Sequence, residues 1–237
     1  MKTRTYLAEL LGTFLFMMLG YASVAGIPNA SSPAPNLLVV PFAFGLGLLA
    51  AIFSFGGISG GHFNPAVTVA MVLDRRTEPV DGVGYIVGQV IGAILAAALI
   101  LVTVSKEAVA AGITKPATGV SDLGAVVLEA TFTAIFLVVI LMSSKRSPGL
   151  AALAIPLTLV GIHFAIATVT GSSVNPARSI GSAVVGGDLG QLWIYIVGPT
   201  IGGVIGWGVY RFADREQTAA ERPTPATSGE EPVASVV

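Results

Sequence analysis

The chain has no cysteine and few charged residues. Its 237 residues include 12 Lys or Arg, 13 Asp or Glu and 2 His, and charged residues make up 11% of the total. A soluble domain usually has about 25%. The lack of cysteine excludes disulfides, thiolate catalysis and thiolate metal ligands. Because the net charge is only −1, we expect no nucleic-acid partner.

Apolar residues and glycine are abundant instead. Hydrophobic residues make up 54% of the chain, there are 29 glycines, and the mean hydropathy is +0.84. Glycine is frequent where membrane helices pack closely. At about 20 residues per span, a chain of this length has room for six or seven membrane-spanning helices. We therefore predict an all-α integral membrane protein.

Six apolar stretches are long enough to span a bilayer. They cover 6–26, 37–55, 83–104, 123–142, 149–168 and 189–210. The first has no small-residue cleavage site after it, so we interpret it as a retained helix and not a signal peptide. We interpret 27–36 and 106–122 as loops because they are rich in proline or polar residues. Beyond a membrane domain over 1–212, the polar, Pro-rich composition predicts a disordered cytoplasmic tail over 213–237.

Basic residues fall into four groups that six spans place on one side of the membrane. The groups are Lys2 and Arg4; Arg75 and Arg76; Lys145 and Arg146; and Arg211, Arg215 and Arg222. Because cytoplasmic loops carry an excess of Lys and Arg, both termini are expected in the cytoplasm. We expect a multi-pass protein of the cell membrane, such as a bacterial inner membrane.

The tripeptide Asn-Pro-Ala occurs twice. The copies are Asn64, Pro65, Ala66 and Asn175, Pro176, Ala177. Asn is a preferred helix N-cap and Pro suits the first helical position, so each copy predicts a helix start. The helices, over 62–73 and 175–185, are too short to cross a bilayer. We predict two re-entrant half-helices whose N-termini meet near the membrane centre.

The two halves of the chain repeat each other. Segment 85–88, Tyr-Ile-Val-Gly, recurs at 195–198, and the Asn-Pro-Ala copies lie at a nearly equal separation. The repeats cover about 5–105 and 123–212. Each holds three spans, an odd number, so the second half must be inverted. Inverted repeats with broken helices and a central site are an architecture for solute passage.

Three polar residues of the two half-helices are candidates for contact with the solute. An intramembrane charge such as Arg178 marks a functional site by default, although an interfacial arginine could instead extend to the headgroups. We expect Arg178 to donate hydrogen bonds to the solute and to repel cations. Asn64 and Asn175 could simply cap their helices. If their carbonyl oxygens do so, both N–H donors of each amide remain free for a solute.

The buried carboxylates and histidines allow more than one interpretation. Glu9 and Glu129 lie at equivalent points of the two repeats. They could be proton-relay groups, but we favour acceptors for the irregular loop backbone, which must be satisfied in lipid. We interpret His62 as structural. His163 could be a core residue like most lone buried histidines.

The two loops that carry Asn-Pro-Ala resemble the signature loops of the aquaporin family. Segments 58–67 and 173–179 carry this similarity, and the spacing of all six spans agrees over about 5–212. The resemblance implies six tilted spans, two half-helices, one pore per subunit and a homotetramer. It also implies a selectivity filter, with Phe44, His163, Ser172 and Arg178 at the matching positions.

The filter positions resemble the water-selective branch of that family. Glycerol-conducting members usually have a small residue where this chain has His163, and Asp where it has Ser179. One position departs from the water-selective pattern: water channels commonly have Trp where this chain has Ile196. A glycerol or other small-solute facilitator is therefore the alternative.

The function predicted on this basis is a passive channel that conducts water in single file. Arg178 and His163 would both donate to water, and Asn64 and Asn175 would orient a central water so that protons cannot pass. We expect no cofactor, no metal and no enzymatic activity. A secondary transporter is a more remote alternative, for which only Glu9 and Glu129 could serve an ion-coupling site.

Overall fold

The computed structural model describes residues 2–26 and 34–220. Its helices are α1 (Lys2–Ala25), α2 (Ala34–Ala51), α3 (Pro65–Leu73), α4 (Pro79–Thr103), α5 (Lys106–Ala111), α6 (Asp122–Arg146), α7 (Pro148–Thr170), α8 (Pro176–Gly186) and α9 (Leu192–Ala220). Six helical segments within the described ranges are long and apolar enough to cross a membrane. This confirms the predicted all-α fold with six spans and two half-helices, α3 and α8.

The second span is longer than predicted. After Ala51 the helix widens into a π-helical turn over Ile52–Gly56 and continues as Gly57–Ser59. It then stops because Gly60 and Gly61 both adopt left-handed backbone angles, with φ of 94° and 68°. The predicted end at 55 was therefore four residues too early.

Further boundaries differ from the sequence prediction. Helix α4 begins at Pro79, four residues before the predicted start at 83, and α6 ends at Arg146, four residues after the predicted end at 142. The outer loop 106–122 contains helix α5, which the sequence analysis missed; the Ser105 side chain caps it by accepting from Ala108 N. Helix α9 continues to Ala220, beyond the predicted end at 210. There Asp214 forms ion pairs with Lys145 and Arg146 of α6, at 2.7 and 3.1 Å. Residues 27–33 and 221–237, with most of the predicted tail, lie outside the described residues.

The long spans pack in equivalent pairs. Helix α4 lies along α1, and α9 lies along α6. A Cβ atom on Gly92 would lie only 2.3 Å from the carbonyl oxygen of Leu10, and one on Gly202 only 2.3 Å from that of Ala130. These glycines therefore let the two backbones touch, as small residues do at membrane-helix interfaces.

Each half-helix packs against the last span of the opposite half. Helix α8 contacts α4 where Gly181 meets Ala93, and α3 contacts α9 where Gly203 meets Ala66. In both contacts a Cβ on the glycine would lie within 2.8 Å of backbone atoms. The two repeats are thus interlocked, and this arrangement brings the N-termini of α3 and α8 together.

Candidate pore and selectivity filter

The two Asn-Pro-Ala segments are joined tip to tip. Asn64 Oδ1 accepts from Ala66 N at 2.9 Å, and Asn175 Oδ1 accepts from Ala177 N at 3.0 Å. Asn64 Nδ2 donates to Val174 O at 2.8 Å, and Asn175 Nδ2 donates to Phe63 O at 2.9 Å. Each asparagine therefore caps its own helix and also binds the loop of the other half.

This geometry corrects the expectation that both amide donors are free. One N–H of each asparagine is used by a carbonyl of the opposite loop, which leaves one N–H per side chain. The accepting residues, Phe63 and Val174, have φ of 47° and 44°. A single sequence does not show such left-handed positions at non-glycine residues, so the cross-contact could not be foreseen.

Glu9 is the acceptor for the first loop. Its Oε1 accepts from His62 N at 2.9 Å and from Ser59 Oγ at 2.6 Å. Its Oε2 accepts from Phe63 N at 2.7 Å and from Gln89 Nε2 at 2.7 Å. The carboxylate is completely buried, and its hydrogen bonds hold the loop backbone in place.

Glu129 has the same contacts in the second loop. Its Oε1 accepts from Ser173 N at 2.9 Å and from Thr170 Oγ1 at 2.7 Å, and its Oε2 accepts from Val174 N at 2.7 Å. Neither Glu9 nor Glu129 lines the cavity described below. The arrangement is that of a loop-ordering carboxylate in each repeat.

Replacing Glu129 with Ala is expected to destabilise the protein by about 2–6 kcal/mol. The change leaves two buried N–H groups, those of Ser173 and Val174, without an acceptor, at about 1–3 kcal/mol each. The measurement is thermal unfolding of the purified protein in detergent. Glu107→Ala, at an exposed position of α5, is the control and should change stability by less than about 0.5 kcal/mol. Equal melting temperatures for both variants would contradict the role assigned to Glu129.

His62 lies between the first loop and α3. Its Nδ1 is 3.1 Å from Thr68 Oγ1, and its ring meets Tyr85 edge-on with centroids 5.1 Å apart. The residue is buried and also lines the cavity. The structure therefore places His62 at the wall of the pathway as well as in the scaffold.

Phe44, His163 and Arg178 converge at one place. The Phe44 and His163 rings are stacked, with centroids 4.9 Å apart and an interplanar angle of 26°. The Cζ atom of Arg178 is 5.3 Å from the Phe44 centroid. Gly20 on α1 makes room for Phe44, because a Cβ there would lie 2.3 Å from the ring. Residues of α2, α7 and α8 thus form one constriction.

The polar groups at this constriction are one donor group, the Arg178 guanidinium, and one acceptor, His163 Nε2. His163 Nδ1 donates to Leu159 O at 3.0 Å, so Nε2 of the neutral ring is an acceptor. Arg178 Nη1 donates to Gly112 O at 3.0 Å. His163 Nε2 and Arg178 Nε are buried and have no protein partner among the described residues. The expectation that His163 donates to water was therefore wrong, because its N–H is used by the helix backbone.

Ser172 is the one predicted filter residue that does not line the cavity containing the other three. It is completely buried, its backbone N donates to Thr170 Oγ1 at 3.2 Å, and it does not line the cavity. Gly112, in the outer loop, instead supplies the carbonyl that holds Arg178. No sequence pattern indicates Gly112, because its contact depends on the path of the loop between α5 and α6.

Two cavities meet at His163. One, of about 440 Å³, extends from Phe44, His163 and Arg178 past Asn64 and Asn175 to Ser144 and Pro148. The other, of about 610 Å³, is lined by the adjoining ends of α1, α2, α5 and α7. His163 lines both. Ile52, Val67, Ile140 and Ile155 are among the apolar residues lining the first cavity. The first cavity is mostly apolar, with a few polar atoms beside Phe44 and at the Asn-Pro-Ala segments.

Comparison with known proteins finds consistent similarity. The family described as Major intrinsic protein matches residues 1–210. Glycerol uptake facilitator protein-like 6 of Lactiplantibacillus plantarum is 41% identical over 85% of this chain and 94% of its own. Aquaporin Z of Photorhabdus laumondii is 41% identical over 90% and 99%. The X-ray structure of the aquaglyceroporin from Plasmodium falciparum superposes with a TM-score of 0.84 at 21% identity, covering 93% of this chain and all of that one, a likeness of fold.

Proposed function

Since the chain belongs to the major intrinsic protein family of membrane channels, we propose that it conducts water passively in single file and excludes protons and ions. The observation that carries this proposal is the constriction formed by Phe44, His163 and Arg178. Two stacked rings narrow it, and it offers one acceptor, His163 Nε2, and one donor group, the guanidinium of Arg178. Water, which both donates and accepts, fits that pair.

The passage of water follows from these contacts. At the constriction a water molecule donates to His163 Nε2 and accepts from the guanidinium N–H groups of Arg178. At the centre, the remaining N–H groups of Asn64 and Asn175 donate to one water oxygen, so that both hydrogens of that water point outward. A chain of water molecules with a fixed reversal of direction at its centre does not relay protons. Such selectivity depends on pore width, on the hydrogen-bond donors that line the pore and on electrostatic barriers.

Cations are repelled by two sources of positive charge. The guanidinium of Arg178 stands at the constriction, and the N-termini of α3 and α8 meet at the centre. Each helix N-terminus carries about half an elementary charge. An ion entering this apolar pathway would also lose hydration that the few polar atoms do not replace.

Facilitated passage of glycerol is the second candidate. One relative with 41% identity is named a glycerol uptake facilitator protein-like protein, and relatives named Aquaporin Z have the same identity. Overall identity therefore favours neither solute. Ile196, the departure that pointed toward glycerol, is 40% exposed and lines neither cavity. The bulk of His163 at the junction of the two cavities favours water.

Coupled transport has less support. A secondary transporter needs a coupling-ion site next to the substrate pathway. Glu9 and Glu129, the two candidates for such a site, are engaged with loop N–H groups and lie outside the cavity lining. We therefore prefer passive conduction.

We further propose a homotetramer in the cell membrane with both termini in the cytoplasm. Basic residues near one end of the described bundle support this orientation: Lys2 pairs with Asp81 at 3.2 Å, and Arg76 donates to Ser144 at 2.9 Å. Many large apolar side chains of the spanning helices, such as Leu46 and Val127, are exposed on the single chain. They suit contact with lipid or with further copies of the chain.

The proposed function predicts fast shrinkage of proteoliposomes under a sucrose gradient. The purified chain in liposomes should raise osmotic water permeability about tenfold or more over bare lipid, with a low activation energy because pore water needs little bond breaking. The measurement is stopped-flow light scattering. Glycerol as the osmolyte should produce shrinkage without the re-swelling that glycerol entry causes. Shrinkage no faster than that of bare liposomes would overturn the proposal, and rapid re-swelling would favour the glycerol candidate.

A further inference from the structure

Few hydrogen bonds hold the side chain of Arg178 in place, although the selectivity filter depends on it. Its guanidinium has one hydrogen bond to the protein among those found in the described residues, from Nη1 to Gly112 O, and its Nε has none. The residue is only 5% exposed. Its backbone belongs to the first turn of α8, and its hydrogen bond is to the loop after α5, so its position depends on where these two backbones lie. Something must fix both of these backbones.

Tyr21 of α1 contacts both backbones. Its hydroxyl donates to the backbone oxygen of Arg178, which also accepts from Ser182 Oγ at 3.3 Å. Its ring lies beside Gly112, since a Cβ on that glycine would be 3.9 Å from Tyr21 Cδ1. Tyr21 is 4% exposed and lines neither cavity. Any effect of this residue on a solute must therefore pass through its neighbours.

The internal repeat shows that Tyr21 is not a general requirement of the fold. Glu9 and Thr13 correspond to Glu129 and Thr133, and the same spacing pairs Tyr21 with Leu141. Leu141 is completely buried and has no hydroxyl. A leucine therefore fills this place in one repeat and a tyrosine in the other.

The residue equivalent to Arg178 in the first half-helix is also apolar. The spacing of the Asn-Pro-Ala copies pairs Arg178 with Val67. The pair equivalent to Tyr21 and Arg178 is therefore Leu141 and Val67, which has neither a hydroxyl nor a charge. The hydroxyl occurs where a charged side chain has to be held in place.

We propose that Tyr21 is a positioning residue for the selectivity filter. By binding the Arg178 carbonyl and packing on Gly112, it holds the guanidinium at the constriction opposite Phe44. Without the hydroxyl, the first turn of α8 is less constrained and the guanidinium leaves the constriction more often. This inference rests on the proposed function, because it assigns Tyr21 a part in the selectivity of that same pore.

The test is Tyr21→Phe, which keeps the ring and removes only the hydroxyl. The full chain is reconstituted in liposomes, and glycerol and proton permeability are each divided by water permeability of the same sample. We expect both ratios to rise about 2- to 10-fold, the factor that corresponds to the net contribution of one hydrogen bond. Poor folding or insertion scales all permeabilities together and leaves these ratios unchanged.

Tyr6→Phe is the matched control. Tyr6 lies on the same helix, and its hydroxyl donates to Asp81 Oδ1 at 2.7 Å, away from the filter. Both ratios should stay at the wild-type value in this variant. A rise in Tyr6→Phe equal to that in Tyr21→Phe would mean that α1 acts generally, and it would overturn the proposal.

A double variant shows whether Tyr21 acts through Arg178. In an Arg178→Val background, Tyr21→Phe should change neither ratio further, because residues that act as one unit are not additive. Additive effects would overturn the proposed route.

If Tyr21→Phe does not insert, Tyr21→Leu, the residue of the other repeat, is measured in its place. Wild type that conducts no water would refute the proposed function, whereas a conducting wild type with unchanged ratios in the Tyr21 variant would refute only this inference.

Discussion

Replacing Arg178 with Val is expected to raise proton and cation permeability about 100-fold, with water permeability retained. Arg178 supplies the one full positive charge among the constriction residues, and its Cζ lies over the Phe44 ring, 5.3 Å from the centroid. A unit charge at about 5 Å contributes about 3 kcal/mol at an effective dielectric constant of about 20, a factor of about 100 in permeability. The neutral, apolar valine removes this barrier and also widens the opening.

The measurement uses proteoliposomes that contain a pH-sensitive dye. An imposed pH gradient reports proton flux, and a potassium gradient with a voltage-sensitive dye reports cation flux. Arg178→Lys is the matched variant, since it keeps the charge but lacks the planar fork of donors. It should remain largely closed to cations. Vesicles with Arg178→Val that stay as proton-tight as wild type would show that the charge is not the barrier.

Replacing His163 with Gly is expected to raise glycerol permeability about tenfold or more. The imidazole lines both cavities and stacks on Phe44, so its removal opens the junction between them. It also removes the Nε2 acceptor, which a glycerol hydroxyl does not require when the opening is wide. Water permeability should change by less than about threefold, since water already passes.

The assay is re-swelling of proteoliposomes in a glycerol gradient. Glycine within a helix costs about 1 kcal/mol, so the variant needs a control for that loss. Leu157→Gly provides it, because Leu157 lies in the same helix, is exposed and lines neither cavity. Glycerol flux that is unchanged in His163→Gly, or that rises equally in Leu157→Gly, would count against His163 as the size barrier.

The prediction of the fold from sequence rested on features that are local and strong. Apolar runs of sufficient length predict membrane spans in any context, because a bilayer requires about 20 apolar residues. Asn followed by Pro predicts a helix start because capping involves only neighbouring atoms. The helices begin at Pro65 and Pro176, directly after the capping asparagines, although the predicted range 62–73 began three residues too early. Predicted helix ends were wrong where they depend on distant partners. An example is the end of α9, predicted at 210, which lies beyond Asp214 and its ion pairs with α6.

The resemblance named three residues that the structure brings together, but not the directions of their hydrogen bonds. Phe44, His163 and Arg178 come from three helices, and the structure brings them together. The direction in which His163 hydrogen-bonds depends on the nearby Leu159 carbonyl, and the free donors of Asn64 and Asn175 depend on the opposite loop. These are properties of atoms in space, so a residue pattern does not contain them.

The sequence by itself determined that this chain is a helical membrane protein with two inverted halves, because hydrophobic length and helix caps act locally. Only the tertiary structure decided which polar atoms remain available at the pore and what holds Arg178. The contacts from Gly112 and Tyr21 join segments far apart in the chain. Such contacts exist only after the two halves have interlocked, which is why no local pattern predicts them.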